Sequence, residues 1–197
     1  MPNSEERVMC RKLKEIDNLT PDEILLISGI DSYPVDMQKV LKKLGIHSGP
    51  MDFSTIESEV PDVIKTRGCI LGAVIVIDDD VKIFYRQGSS HNRERFTLAH
   101  ELAHCCLNAS SLQKGHIEFR FDGNAPDQKE LAANIFAGQL LIPERPLKKL
   151  YESLVVPASD VLAREFEVST HVMEARLEYL GLGFYSPRNY DGFNGES

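Results

Sequence analysis

The chain has 197 residues, 42% of them hydrophobic and 26% charged, close to the globular average, which excludes wholesale disorder, a collagen-like repeat and a long coiled coil. Its longest apolar run, Cys69 to Ile77, falls well short of a membrane span, and the charged first residues lack the apolar stretch of a secretion signal, so a cytoplasmic location and no membrane partner are expected. Thirty acids against 22 bases give a net charge of −8, which repels phosphate backbones and argues against direct nucleic-acid binding.

In chain order, the first third reads as helical. Ser4 to Ile16 places Val8, Met9, Leu13 and Ile16 at a helical period. Thr20-Pro21-Asp22-Glu23 is a start signal: Thr20 caps, Pro21 suits the first helical position and Glu23 completes a capping box. Ile24 to Ile27 follows, and Gly29 stops it. Pro34-Val35-Asp36 opens another helix that Gly45 ends. The middle changes period. Cys69 to Ile77, the turn Asp78-Asp79-Asp80, and Val81 to Tyr85 predict a β-hairpin. Arg93 to Leu107 returns to helical spacing, and His116 to Phe121 alternates polar and apolar residues, as a half-buried strand does. Asp127 to Ile142 is helical and closes at Pro143. Two further helices are expected over about 159–166 and 169–180, with Gly181 as a stop, and residues 186–197 are expected to form a flexible tail. Helices, a small sheet, then helices make the fold class α+β. Cys10, Cys69, Cys105 and Cys106 form no metal-binding pair spacing and are expected to be reduced, buried thiols.

His100-Glu101-Leu102-Ala103-His104 carries the chemistry. On a helix, positions i and i+4 lie one above the other, so two imidazoles can grip one metal ion from the same face, with Glu101 placed to reach a water. A catalytic zinc takes three protein ligands and keeps one open position. Glu130 is the candidate third ligand, and Asn134, one turn on, can accept the free N–H of a ligand histidine and fix its tautomer. The same Glu130 can instead close a capping box behind Asp127, and spacing alone leaves both readings open.

The stretches PVDMQKVLKKLGI, RERFTLAHELAHCCLN, ELAANIFAGQLLIP and LAREFEVSTHVMEARLEYLGL resemble, in order and approximate spacing, consecutive blocks of the ImmA/IrrE metallopeptidase family over roughly residues 20–183. Family members often have Gly before the second histidine, where this chain has Ala103. The resemblance implies His100, His104 and Glu130 as metal ligands, Glu101 as the catalytic residue, and a zincin-like core of sheet, metal helix and ligand helix. Four segments are then expected: an N-terminal helical segment over 1–48, a zinc metallopeptidase core over 49–155, a C-terminal helical pair over 156–185, and the tail over 186–197. The cofactor implied is one Zn2+ per chain, with another divalent ion such as Mn2+ as the alternative. The activity implied is regulated, site-specific cleavage of a helix-turn-helix repressor controlling a mobile element, a prophage or a stress response.

An oxyanion donor is also needed. His171, Arg176, Tyr151 and Tyr179 are candidates that the sequence does not place. The edge strand of the hairpin, within Ile70 to Arg86, is expected to hold the substrate backbone. Two rival readings come from other classes. Leu162 to Leu177 has a helix-turn-helix rhythm, but Ser159 to Leu180 holds five acids against two arginines, and Glu167 occupies the turn, where Gly is common. A binding module with a purely structural metal would not need Glu101.

Overall fold

In the computed structural model, which describes residues 13–77, 80–109, 112, 115–123 and 127–187, the fold is mixed α+β, as expected. Among the described residues it holds ten helices and a four-stranded sheet. The upstream part of the first predicted helix lies outside the described residues; α1 (Leu13–Ile16) is its described end, with Leu13 and Ile16 buried. α2 (Pro21–Ser28) starts at the predicted capping box. The Thr20 N–H donates to Glu23 Oε2 at 2.8 Å, and the Glu23 N–H returns a bond to Thr20 Oγ1 at 3.3 Å. α3 (Met37–Lys43) is capped by Asp36, which accepts from the Lys39 N–H.

The sheet runs β1 (His47–Met51), β3 (Asp80–Arg86), β2 (Ile70–Ile77), β4 (Ile117–Phe121). β1 pairs parallel with β3; the other two pairings are antiparallel. The predicted hairpin of β2 and β3 is therefore the interior of the sheet. Its members are paired on both sides, so neither can take up a substrate strand; the edges are β1 and β4. Residues 78–79 of the predicted turn lie outside the described residues, and Asp80 already belongs to β3.

Each face of the sheet buries its own cluster. Val74, Val76, Val81 and Ile83 face the main core. Ala73, Ile70 and Phe53 form a second cluster, with Phe84, Phe119 and Phe121 against it, beneath α4 (Ser54–Glu59) and α5 (Pro61–Arg67). A register shift between Ile70 and Gly72 puts Ile70 on the same side as Ala73. The Glu57 carboxylate of α4 clamps this point, accepting from the Ile70 N–H at 2.8 Å and from the Arg86 guanidinium.

α6 (His91–Leu107) and α7 (Gln128–Leu141) cross the main core, followed by α8 (Glu144–Ser153), α9 (Ser159–Glu165) and α10 (Thr170–Tyr179). α8 is a helix that the sequence reading did not place. Buried side chains from 1–48, 49–155 and 156–185 share one cluster, including Ile24, Leu41, Leu102, Leu140, Leu162 and Leu177. Among the described residues no helix is long and apolar enough to cross a membrane. Cys105 and Cys106 are buried as expected, but Cys69, in the short link between α5 and β2, is exposed; Cys10 lies outside the described residues.

Candidate metal centre

α6 is buried along nearly the whole of its second half, from Thr97 to Cys106. Leu98, Ala99, Leu102 and Ala103 pin it in the main core, which fixes the rotation of the helix. His100 and His104 are then stacked one turn apart, with ring centroids 4.7 Å from each other. α7 lies across it. Asp127 caps α7, accepting from the Lys129 and Glu130 N–H groups at 2.9 Å each. The Glu130 carboxylate is directed at the histidines, with Oε2 3.2 Å from His100 Nε2 and Oε1 3.2 Å from His104 Nε2. The ligand atoms of His100, His104 and Glu130 all lie within 4.8 Å of one another.

The protonation chemistry of this group favours a cation. His100 Nδ1 donates to Asn134 Oδ1 at 2.9 Å, so in the neutral ring Nε2 carries a lone pair. Burial pulls the His100 pKa down to about 4, which keeps the ring neutral. His104 Nε2 lies 3.0 Å from His100 Nε2. Burial pulls His104 down too, but its hydrogen bond to Glu130 and the charges of Glu101 and Glu130 outweigh it, and the net shift is upward. Contacts with His100 and then His104 hold the Glu130 carboxyl well below the usual carboxylate range. Two ring nitrogens and a carboxylate thus crowd around a space that one proton serves poorly. A divalent ion taking one lone pair from each satisfies all three, and two imidazoles with one carboxylate suit zinc.

Glu101 is buried, and among the described residues its Oε1 has no hydrogen-bond partner. Burial pushes its carboxyl up to about 7. The room for it is made by Gly72. A Cβ at that position would stand 2.5 Å from Thr97 Cγ2 and 3.0 Å from Glu101 Oε1.

Across from Gly72 in the β2–β4 ladder is Arg120, a residue that sequence reasoning missed. Partnered residues share a face, so Arg120 and Glu118 point toward α6, while Phe119 and Phe121 point to the second cluster. Arg120 donates to Thr97 Oγ1 at 3.4 Å and sits 5.3 Å from the centre of the Phe96 ring. Burial lowers its pKa, and the charges of Glu101, Glu130 and Asp122 counter that. It lines the polar cleft around Glu130, together with Glu118 and Asn134. The alternation of His116 to Phe121 was the available signal; it pairs Glu118 with Arg120 without saying which face meets the metal helix.

Three of the four oxyanion candidates border a groove that adjoins the metal group, and Tyr151 is bonded away from it. The Tyr151 hydroxyl donates to the Gly183 carbonyl at 2.6 Å. The Arg176 Nε–H donates to the Ile142 carbonyl at 3.2 Å, and the guanidinium lies over the Tyr179 ring. His171, Arg176 and Tyr179 line a groove between α7 and α10 that also reaches Asn134.

Residues 79–178, half of the chain, match the family described as Peptidase_M78, IrrE N-terminal-like domain. The match spans β3, α6, β4, α7 to α9 and all but the last residue of α10, and so includes His100, Glu101, His104, Arg120, Glu130 and Asn134 but not Gly72. No curated protein and no solved structure matches the chain.

Proposed function

The chain belongs to the IrrE N-terminal-like peptidase family, and from that premise we propose that it is a zinc-dependent endopeptidase that cuts a protein substrate at a defined site. The observation that carries the reading is the convergence of two imidazoles and a carboxylate from neighbouring helices, with Asn134 fixing the tautomer of one ring. His100, His104 and Glu130 would hold the ion. Bound there, zinc supplies Lewis acidity, which acidifies water and polarises a carbonyl.

The remaining steps belong to the protein. Glu101, with its carboxyl raised by burial and its Oε1 without a partner among the described residues, takes the proton of the attacking water and returns it to the leaving amine. Arg120, which lines the cleft with Glu130 and feels the charge of Glu101, is a cation available to the developing oxyanion. Among the described residues β4 is paired only on its β2 side, so its free edge can take up an extended substrate segment next to Arg120. The family resemblance supports a helix-turn-helix repressor as the substrate. The purified chain is to be incubated with zinc and a repressor encoded beside it. Glu101→Gln is expected to keep zinc, measured by elemental analysis, and to lose cleavage by about 10²-fold or more. Cleavage at the parent rate by that variant overturns the mechanism.

A further inference from the structure

We infer that the groove between α7 and α10 receives a large apolar side chain of the substrate, of the leucine or phenylalanine class, and that Gly138 sets its depth; the assignment rests on the peptidase reading above. α7 turns Leu131, Ile135 and Gly138 to one side, at intervals of four and three residues. Leu131 is 53% exposed and Ile135 38% exposed, unusual for the wall of a core helix. Val172 and Ala175 of α10 face them, and the groove encloses about 560 Å³, within the range of roughly 300–1,000 Å³ usual for ligand sites.

Gly138 carries the argument. It is buried in the last turn of α7, still inside the helix, where glycine weakens it relative to alanine. Packing does not require it: a Cβ at Gly138 would meet nothing within 4 Å, whereas one at Gly72 would strike Thr97 at 2.5 Å. A buried backbone position that faces empty space, at a cost to its own helix, leaves room for an atom group from outside. Continuity says which one. Asn134 and Arg120 line both this groove and the polar cleft containing Glu130. A peptide whose backbone crosses that cleft therefore projects a side chain into the groove. Leu131, Ile135, Gly138, Val172 and Ala175 form an apolar wall where that side chain would sit, which disfavours a charged one against it, while Arg120, His171, Arg176 and Glu178 also line the groove.

The test begins on the isotope-labelled full chain without metal, titrated with N-acetyl-leucine amide, N-acetyl-phenylalanine amide and N-acetyl-aspartate amide. The first two are expected to shift the amide resonances of Leu131, Ile135, Gly138 and Ala175; the aspartate derivative is not. Gly138→Leu, whose side chain enters open space, is expected to weaken that binding about tenfold. Gly138→Ala, the milder filling, is expected to fall between the two. Shifts away from the groove, or equal binding by Gly138→Leu, overturn the pocket. A second arm presents the zinc-loaded chain with peptides varied at single positions. Gly138→Leu is expected to move the preference from leucine and phenylalanine toward alanine about tenfold, with zinc content unchanged. Cleavage by the parent chain without side-chain preference sinks the pocket and leaves the peptidase standing. Groove binding without cleavage of any peptide or protein sinks the peptidase and leaves the pocket.

Discussion

Glu167 is a residue whose backbone and side chain pull in opposite directions. It follows α9 with φ of 50°, a left-handed conformation that costs a non-glycine residue about 1–2 kcal/mol. Its carboxylate accepts from the nearly buried Arg95 guanidinium and lies 2.8 Å from His91 Nε2, both on α6. Beside it, the Asn92 amide donates to the Val168 carbonyl. The turn that joins α9 to α10 is thereby fastened to the start of the metal helix, which explains an acid where glycine is common. Glu167→Ala is expected to destabilise the fold by about 2 kcal/mol, because Arg95 stays buried with only the charge of Asp36 to answer its own; the figure sits below that for a fully buried pair because the carboxylate is partly solvated. Glu167→Gly is expected to cost about 1 kcal/mol less, since it also relieves the backbone. Urea denaturation of the three proteins checks the order, and a glycine variant more stable than the parent would show that the carboxylate contributes less than its backbone conformation costs. The His91 hydrogen bond, and then the Arg95 charge, hold the Glu167 pKa below its ordinary 4.5. The unfolded chain therefore binds this proton first. The stabilisation is complete above that value and drains away as pH falls through the lower, folded one. The parent is expected to lose stability more steeply than Glu167→Ala on acidification below about 4.5.

At the scale of elements, the contact that matters most is β2 against α6. The strand comes close enough that only glycine fits at position 72. Gly72→Ala forces Thr97 to shift and presses on the Glu101 carboxyl, and the expected cost is about 1–3 kcal/mol of stability. Zinc content is expected to be retained, because the ligands stand on the far side of that contact, on α6 and α7, while cleavage falls by about tenfold or more. Normal turnover by a folded Gly72→Ala would mean that Glu101 does not need its present position. What the sequence made legible follows from how local each signal is. Thr20 to Glu23 specifies its own helix start, and His100, His104, Glu130 and Asn134 become neighbours once two helices are drawn, because each pair is one turn apart. β1 has no such signal: His47-Ser48-Gly49-Pro50-Met51 does not alternate, and it becomes a strand only through parallel pairing with β3. α4 and α5 bury no residue completely, so they carry no apolar stripe to read. α8 did carry one, in Leu147, Leu150 and Tyr151 with Leu154 at its C-cap, obscured by Pro143 and Pro146 at its start. Arg120 was hidden because strand alternation gives two faces and only the tertiary fold says which one looks at the metal helix.

Across the whole molecule, the metal group sits where the largest share of the core is joined. α6 contributes Ala99, Leu102 and Ala103 to the main cluster, α7 contributes Ala133, Phe136, Ala137 and Leu140, and helices from both ends of the chain pack into the same cluster. Two ligands stand on one of these helices and the third on the other, so an ion there cross-links the centre of the fold. The unfolded chain has no equivalent site, since Glu130 lies 26 residues from His104 along the sequence. Metal binding is then coupled to global stability and not only to local order. At free zinc near 100 times the dissociation constant, mass action adds about 2.7 kcal/mol. For a domain of this length each kcal/mol moves the melting temperature by about 2–4 °C, so a rise of about 5–10 °C on zinc addition, reversed by a chelator, is expected in thermal unfolding. Glu130→Ala removes the anionic ligand and is expected to abolish most of that rise. It also frees His100 and His104 from their shared carboxylate, so the metal-free variant is compared with its own zinc-loaded form. An equal rise in the parent and in Glu130→Ala would place the ion somewhere other than between α6 and α7, and a parent that gains nothing from zinc would remove the metal from the account of this fold.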